Sequence, residues 1–236
     1  PGTIMETADG GQCVYVVYGD FIDDVAPLLQ RNGALAFSTD QVYQEFNGGV
    51  RDPGAIRAMV SYMVDSWNPA PMDLVLVGAG TWDPLHYSSS KPCLIDIQYY
   101  GASNLVSDDV FSVVEGSSVP QVAVSRIGVN NAGDLQLVID RAVEYRSGEN
   151  IGDWQTVVLG AADDERSPLH TQDERYHTWE GENILTNYIP AILRPEKLYM
   201  IFYDWSSSWT KPEAREGSLT SACTPLRTSS GCISHL

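Results

Sequence analysis

Asp73-Leu-Val-Leu-Val-Gly-Ala-Gly-Thr-Trp-Asp-Pro84 carries an unbroken apolar run that gives way to glycines, polar residues and a proline. The run is too short for an amphipathic helix, and its lack of polar alternation fits a strand covered on both faces, as strands of parallel sheets are. Ligands on such sheets gather beyond the carboxyl ends of the strands, so residues 79–83 are expected on the working edge. Gly78-Ala-Gly80 is followed by neither a third glycine nor a helix start, which removes the dinucleotide-binding reading.

The same alternation of elements runs through the chain. Val14-Tyr-Val-Val-Tyr18 is a first strand; Gly19-Asp20 ends it, and Phe21, Val25, Leu28 and Leu29 then recur near one helical face. Ala34 to Ser38 is a weaker strand, after which Asp40 to Gly49 shows no clear period and is expected to be irregular, closing in a Gly-Gly turn. Asp52-Pro53 is a helix start, and Ile56, Met59, Val60, Met63, Val64 and Trp67 recur at helical spacing as a core stripe. Pro69 and Pro71 return the chain to the strand at 73. Three strand–helix steps thus precede residue 80, and the right-handed crossover rule makes the sheet parallel.

Periodicity fades from Leu85 to Pro120, where Ser88-Ser-Ser90, Lys91-Pro92 and Gly116-Ser-Ser118 are turn signals. A strand follows over Gln121–Arg126, then a helix over Asp134–Arg146 stopped by Ser147-Gly148. Thr156-Val-Val-Leu-Gly-Ala-Ala-Asp-Asp-Glu165 repeats the design of the stretch at 73, an apolar strand breaking into small residues and then acids. Two acid-bearing strand ends are expected to share one edge. Beyond them the pattern predicts a polar loop over 166–181 with His170 and His177, a helix over Glu182–Ile192, an aromatic strand over Lys197–Tyr203 and a helix over Pro212–Ala222. After Cys223 the pattern dissolves.

Charge narrows the partners. Fourteen basic against 31 acidic residues give a formal net charge of -17, which argues against nucleic acid and anionic membranes. No apolar run approaches the roughly twenty residues of a membrane helix. The start, Pro1-Gly-Thr-Ile, has neither an initiating Met nor a signal pattern, so processing or fragmentation is expected. Cys13, Cys93, Cys223 and Cys232 are spaced too widely for a zinc ribbon; Cys13 leads a strand into the core, and the last two are open to three readings, a disulfide, free thiols or an accident of truncation.

Asp163, Asp164 and Glu165 are open to three roles: binding a divalent cation, orienting a histidine, or capping the loop. No G-x-S-x-G elbow, P-loop or H-E-x-x-H is present, which removes the commonest hydrolase and phosphate readings. From the residues alone the chain is an acidic α/β protein of unassigned activity.

The order of segments adds a family. Tyr15-Val-Val-Tyr18, Val42-Tyr-Gln-Glu-Phe46, Asp52-Pro-Gly-Ala-Ile-Arg57 and Trp67-Asn-Pro-Ala-Pro71 lead into Leu74-Val-Leu-Val-Gly78 with Trp82-Asp-Pro84. Ser107-Asp-Asp109, Val122-Ala-Val-Ser-Arg126, Ala142-Val-Glu-Tyr145, Asp153-Trp154 and Val157-Val-Leu-Gly-Ala-Ala-Asp-Asp164 follow. In this order, over about residues 13 to 204, the chain resembles the N-terminal and central part of the gingipain family of secreted cysteine peptidases. The resemblance implies a caspase-like α/β fold, parallel sheets flanked by helices in two adjacent subdomains, expected over 13–110 and 111–236, the second C-terminally truncated.

It also implies a mechanism, in which a cysteine thiolate attacks the peptide carbonyl, a histidine exchanges the proton and an upstream acid orients the histidine. Asp163 matches the acid, with Asp164 its neighbour if the register slips by one; His235 is the candidate histidine, without the flanking glycines of the family's Gly-His-Gly turn. Cys232 precedes that histidine and does not match the nucleophile, which is expected downstream of Leu236. Family members bind calcium in this region, but Ala79 and Ser117-Ser118 stand where acids would help, so no metal and no cofactor is expected. The resemblance thus implies part of an endopeptidase domain, extracellular or at the cell surface, acting on protein or peptide substrates and inactive as this fragment. A catalytically silent surface scaffold or binding module on the same fold is the alternative.

Overall fold

The computed structural model describes residues 3–7, 10–32, 34–84, 86–100, 105–114, 117–149, 151–163 and 176–203. The chain separates into two compact units, Pro1–Glu149 and Asn150–Leu236.

The first unit runs β1 (Cys13–Val17), α1 (Ala26–Asn32), β2 (Leu35–Ser38), α2 (Thr39–Asn47), α3 (Pro53–Ser66) and β3 (Asp73–Val77). A short antiparallel pair, β4 (Tyr99–Tyr100) and β5 (Leu105–Val106), precedes β6 (Ala123–Ile127) and α4 (Ala132–Ser147). Its main sheet has the order β2-β1-β3-β6 with every neighbouring pair parallel. The unit therefore reaches past residue 110 to include β6 and α4.

Strand periodicity sorts the core into two layers. Val14 and Val16 of β1 and Leu74 and Leu76 of β3 join Val42 and Tyr43 of α2 and Ile56, Met59 and Met63 of α3. Tyr15, Val17 and Val77 join Val25, Leu28 of α1, and Leu135 and Ile139 of α4. Each such side chain, once buried, contributes about 1.5–3 kcal/mol relative to exposure. The two layers follow from the strand order: β1 to β2 and β2 to β3 move in opposite directions along the sheet, and crossovers of one hand then require helices on opposite faces.

Most elements fall where the pattern predicts them, and α2 does not. Thr39–Asn47 is helical, contrary to the irregular path expected over 40–49. The nine residues are too few for Val42, Tyr43 and Phe46 to show a period, and the helix is set by its ends. Ser38 accepts a hydrogen bond from the Gln41 N–H, and Gly48 closes the helix at φ 61°, a left-handed conformation that favours glycine.

The second unit is a β-α-β step: β7 (Val157–Ala162), α5 (Tyr176–Asn187) and β8 (Arg194–Tyr199), with the strands parallel. The helix expected over 182–192 begins six residues earlier, at Tyr176. Its buried positions Thr178 and Leu185 are seven apart, two helical turns, and the run of Thr-Trp-Glu-Gly between them conceals that face. The strand expected over 197–203 is likewise displaced to 194–199, with Met200–Phe202 forming a 3-10 turn. Ala162, Leu185 and Tyr199 are the buried core of this unit. The helix expected over 212–222 lies outside the described residues.

Candidate functional site

Asp163 follows the last residue of β7 directly and is exposed. The register pairs Ala162 with Tyr199, so the acid emerges at the carboxyl edge of the two-stranded sheet, beside the end of β8. A helix linking two parallel strands must run back against them, so the first turn of α5 starts from that same edge. It carries Tyr176 and His177, whose rings lie 5.9 Å apart. Below the edge, Tyr199 is 2% exposed. Burial, and then the nearby Glu182 carboxylate, raise its phenol pKa above the ordinary value. Lys197 and Glu182 form an exposed ion pair at 2.7 Å, whose hydrogen bond raises the lysine pKa. Asp164, His170, Cys223, Cys232 and His235 lie outside the described residues.

The acid-bearing ends of β3 and β7, expected on one edge, belong to two different sheets. The strand order reverses at β1, so a ligand crevice would open between the carboxyl ends of β1 and β3. There the first unit's own chain covers the end of β3. The amides of Leu94 and Ile95 both donate to the Ala79 carbonyl, at 2.8 and 3.1 Å. Gly78 sits at φ 147°, and a Cβ on it would come within 3.1 Å of Ile95 and 3.2 Å of Leu94; one on Gly80 would run into Ile97. The two glycines thus serve this close crossing and not a phosphate.

Ion pairs hold the crossing in place. Arg126 donates from Nε and Nη2 to both carboxylate oxygens of Asp108 at 2.7 Å, and from Nη1 to the carbonyls of Gly78 (2.9 Å) and Ile95 (3.2 Å). Arg51 donates to both oxygens of Asp96 at 2.8 Å and to the Cys93 carbonyl. The Asp96 hydrogen bond, outweighing burial, raises the Arg51 pKa further. The Cys93 thiol donates to Asp96 at 3.2 Å, and burial raises its pKa. Tyr43, close by, has its phenol pushed up to about 12, by burial first and then by Asp96. Cys13, leading β1, is half-buried and its pKa is also raised, by burial and then Asp73.

Asp83 is the third fastening. The residue is 5% exposed, and its carboxylate accepts the backbone N–H groups of Tyr87, Ser88 and Ser89 at 3.0, 2.5 and 2.8 Å. The Ser88 amide does most to hold its pKa below the ordinary carboxylate value. The loop so pinned includes His86 at φ 58° and the exposed rings of Trp82 and Tyr87. None of these partnerships was visible in the sequence: Arg126 and Asp108 are 18 residues apart, Arg51 and Asp96 45. Only the Asp83 staple is local enough for an Asp before Ser-rich turn residues to have suggested it. Among the described residues, no group of three or more His, Cys, Asp or Glu could hold a metal ion. No described helix is long and apolar enough to cross a membrane.

Parallel strands flanked by helices have counterparts among solved structures. Dimeric latent PorU from Porphyromonas gingivalis superimposes with a TM-score of 0.53 at 19% identity over 76% of this chain and 21% of that one. The complex of RgpB pro- and mature domains from Porphyromonas gingivalis gives 0.54 at 20% identity, over 80% and 42%. The Arg-specific cysteine proteinase gingipain R (RgpB) gives 0.55 at 18% identity, over 84% and 43%. These likenesses define the class: an α/β protein of gingipain-like, caspase-like fold. The chain spans less than half the length of each of those proteins. No curated protein matches it. Its sequence matches peptidase family C25 over residues 7–232. The chain belongs to that family, the gingipain family of cysteine peptidases.

Proposed function

We propose that this chain is a portion of a cysteine endopeptidase catalytic domain and that Asp163 orients the catalytic histidine. The family match over residues 7–232 carries the reading, and the exposed carboxylate at the end of β7 supports it. In this mechanism a cysteine thiolate attacks the scissile carbonyl, and the histidine takes the thiol proton and returns it to the leaving amine. Asp163 accepts a hydrogen bond from the other ring nitrogen and stabilises the imidazolium that forms. His235 is the position proposed for the histidine, and the nucleophile lies outside these 236 residues. The parent acts on proteins or peptides outside the cell or at its surface.

Two steps test this. The DNA beyond the Leu236 codon is translated in all frames for a Gly-His turn and a cysteine, and the protein carrying them is assayed on unfolded protein substrates. Proteolysis is expected, abolished by thiol alkylation, and Asp163→Asn is expected to lower kcat roughly 10²–10⁴-fold without changing thermal stability. Activity that survives alkylation would refute the mechanism, and full activity in Asp163→Asn would remove this residue from it. A coding sequence with neither motif would leave a silent surface scaffold on the same fold.

A further inference from the structure

The turn Thr3–Thr7 is attached to the first unit in an unusual way. It closes on itself: the Thr3 hydroxyl accepts the Glu6 N–H at 3.1 Å, and the Thr7 hydroxyl donates to the Thr3 carbonyl at 3.0 Å. The described hydrogen bonds that leave it go to two helices. The consecutive N–H groups of Ile4 and Met5 donate to the two oxygens of one carboxylate, Glu45 of α2, at 3.0 and 3.2 Å. Tyr62 of α3 donates its phenol hydrogen to the Met5 carbonyl at 2.9 Å. Gln41, one turn before Glu45, donates to its Oε1 at 2.9 Å and fixes the carboxylate. Between these polar contacts the Ile4 side chain is fully buried in the cluster that includes Val42, Met59 and Met63, while Met5 stands 48% exposed.

We infer that the α2–α3 face is a peptide-docking site, and that residues 3–7 occupy it as a detachable strap. The carboxylate and phenol read main-chain donors and an acceptor, and the socket reads one aliphatic side chain. A ligand for it is a short peptide turn presenting two successive free N–H groups around a buried aliphatic residue, as peptide sites that combine main-chain bonds with side-chain pockets do.

The test uses the full chain. Ile4→Ala loosens the strap, and a fluorescently labelled peptide of residues 1–10 is titrated against wild-type and Ile4→Ala chains. One peptide is expected to bind per Ile4→Ala chain and raise its Tm by a few degrees, while the wild-type chain, its site already filled, takes none. Adding Glu45→Ala is expected to weaken peptide binding at least about tenfold, from the loss of two hydrogen bonds to a charged group. An Ile4→Ala chain with unchanged circular dichroism that takes no peptide would overturn the inference, as would equal binding by the wild-type or Glu45→Ala chains. If Ile4→Ala does not fold, amide exchange in the wild-type chain decides. The Ile4 and Met5 amides are expected to open together, more slowly than a free peptide but at least tenfold faster than those of Met59–Met63. Exchange at the rate of α3, or at the free-peptide rate, would refute a strap.

Discussion

Arg126→Met is expected to destabilise the first unit by about 3 kcal/mol, through the loss of a single guanidinium that joins three segments. The side chains of Arg126 and Asp108 are 14% and 25% exposed, and four hydrogen bonds tie the arginine to Asp108, Gly78 and Ile95. Summing four charge-assisted bonds at roughly 1.5–3 kcal/mol each would overshoot, because the unfolded chain satisfies the same groups with water. The relevant quantity is the penalty of leaving Asp108 and two carbonyls without their partner, about 3–5 kcal/mol for a buried pair. The partial exposure of Asp108 lets water return, which selects the lower end. Methionine keeps the aliphatic stem, so packing changes little. Because the chain has two units, global denaturation need not be two-state. Local amide exchange is the better assay, read at Ala79, Leu94 and Ile95, whose mutual hydrogen bonds the guanidinium supports. Three kcal/mol corresponds to a rise of roughly 10² in their exchange through opening of this edge. The double variant Arg126→Met/Asp108→Leu is expected to be less destabilised than the sum of the single changes, since neither charge is then stranded. A loss below about 1 kcal/mol in Arg126→Met, or full additivity in the double variant, would refute the clamp.

Three other outcomes follow from the same geometry. Tyr43, with its hydroxyl buried and unpartnered, has a pKa raised from 10.0 to about 12. The fold therefore favours the neutral phenol, and this contribution, about 3 kcal/mol, is intact below pH 10 and lost as pH climbs toward about 12. Tyr43→Phe should match the wild-type Tm at pH 8 and exceed it at pH 11.5; parallel melting curves at both would contradict this. Asp83 has a depressed pKa, so its contribution is present above the ordinary value of 3.8 and lost as pH falls below it. Asp83→Asn should speed exchange of the Tyr87, Ser88 and Ser89 amides at pH 6 and flatten the acid limb of the stability curve; unchanged protection would show that the loop holds itself. In the second unit, a Cβ on Gly160 would lie 2.5 Å from Leu185 Cδ1, so Gly160→Ala should cost about 1–3 kcal/mol by overpacking. Leu185→Ala should remove most of that penalty in the double variant, and simple additivity in melting experiments would rule out the clash.

The fold was legible where burial is periodic. The α3 stripe of Ile56, Met59, Val60 and Met63 and the bare runs of β1 and β3 are dictated by two-sided covering, and the structure has them in place. Legibility failed where an element is set by its ends or by a distant partner. The helix α2 depends on Ser38 and Gly48 more than on its face, and α5 hides its buried side behind Trp179 and Gly181, where a Cβ on the glycine would lie 3.3 Å from the Tyr199 ring. The salt bridges of Arg126 and Arg51 lie beyond the reach of any local pattern, because their partners are 18 and 45 residues away and nothing around either arginine says which aspartate it will meet.

That limit bears on where chemistry is to be sought. A topological rule locates a crevice at the carboxyl ends of β1 and β3, and strand order alone makes the first unit look like the working part. The residues argue otherwise. Leu94–Ile97 lies across the end of β3, Arg126 takes the Gly78 carbonyl, and Asp83 spends both oxygens on its own loop. Each polar group there serves the fold, so substituting it should change stability before it changes any reaction. At the end of β7 the carboxylate of Asp163 is exposed, and α5 starts from the same edge. An acid that orients a histidine must be reachable by that histidine; the exposed position of Asp163 is compatible with that role, whereas Asp83 is buried with both oxygens bonded to its own loop.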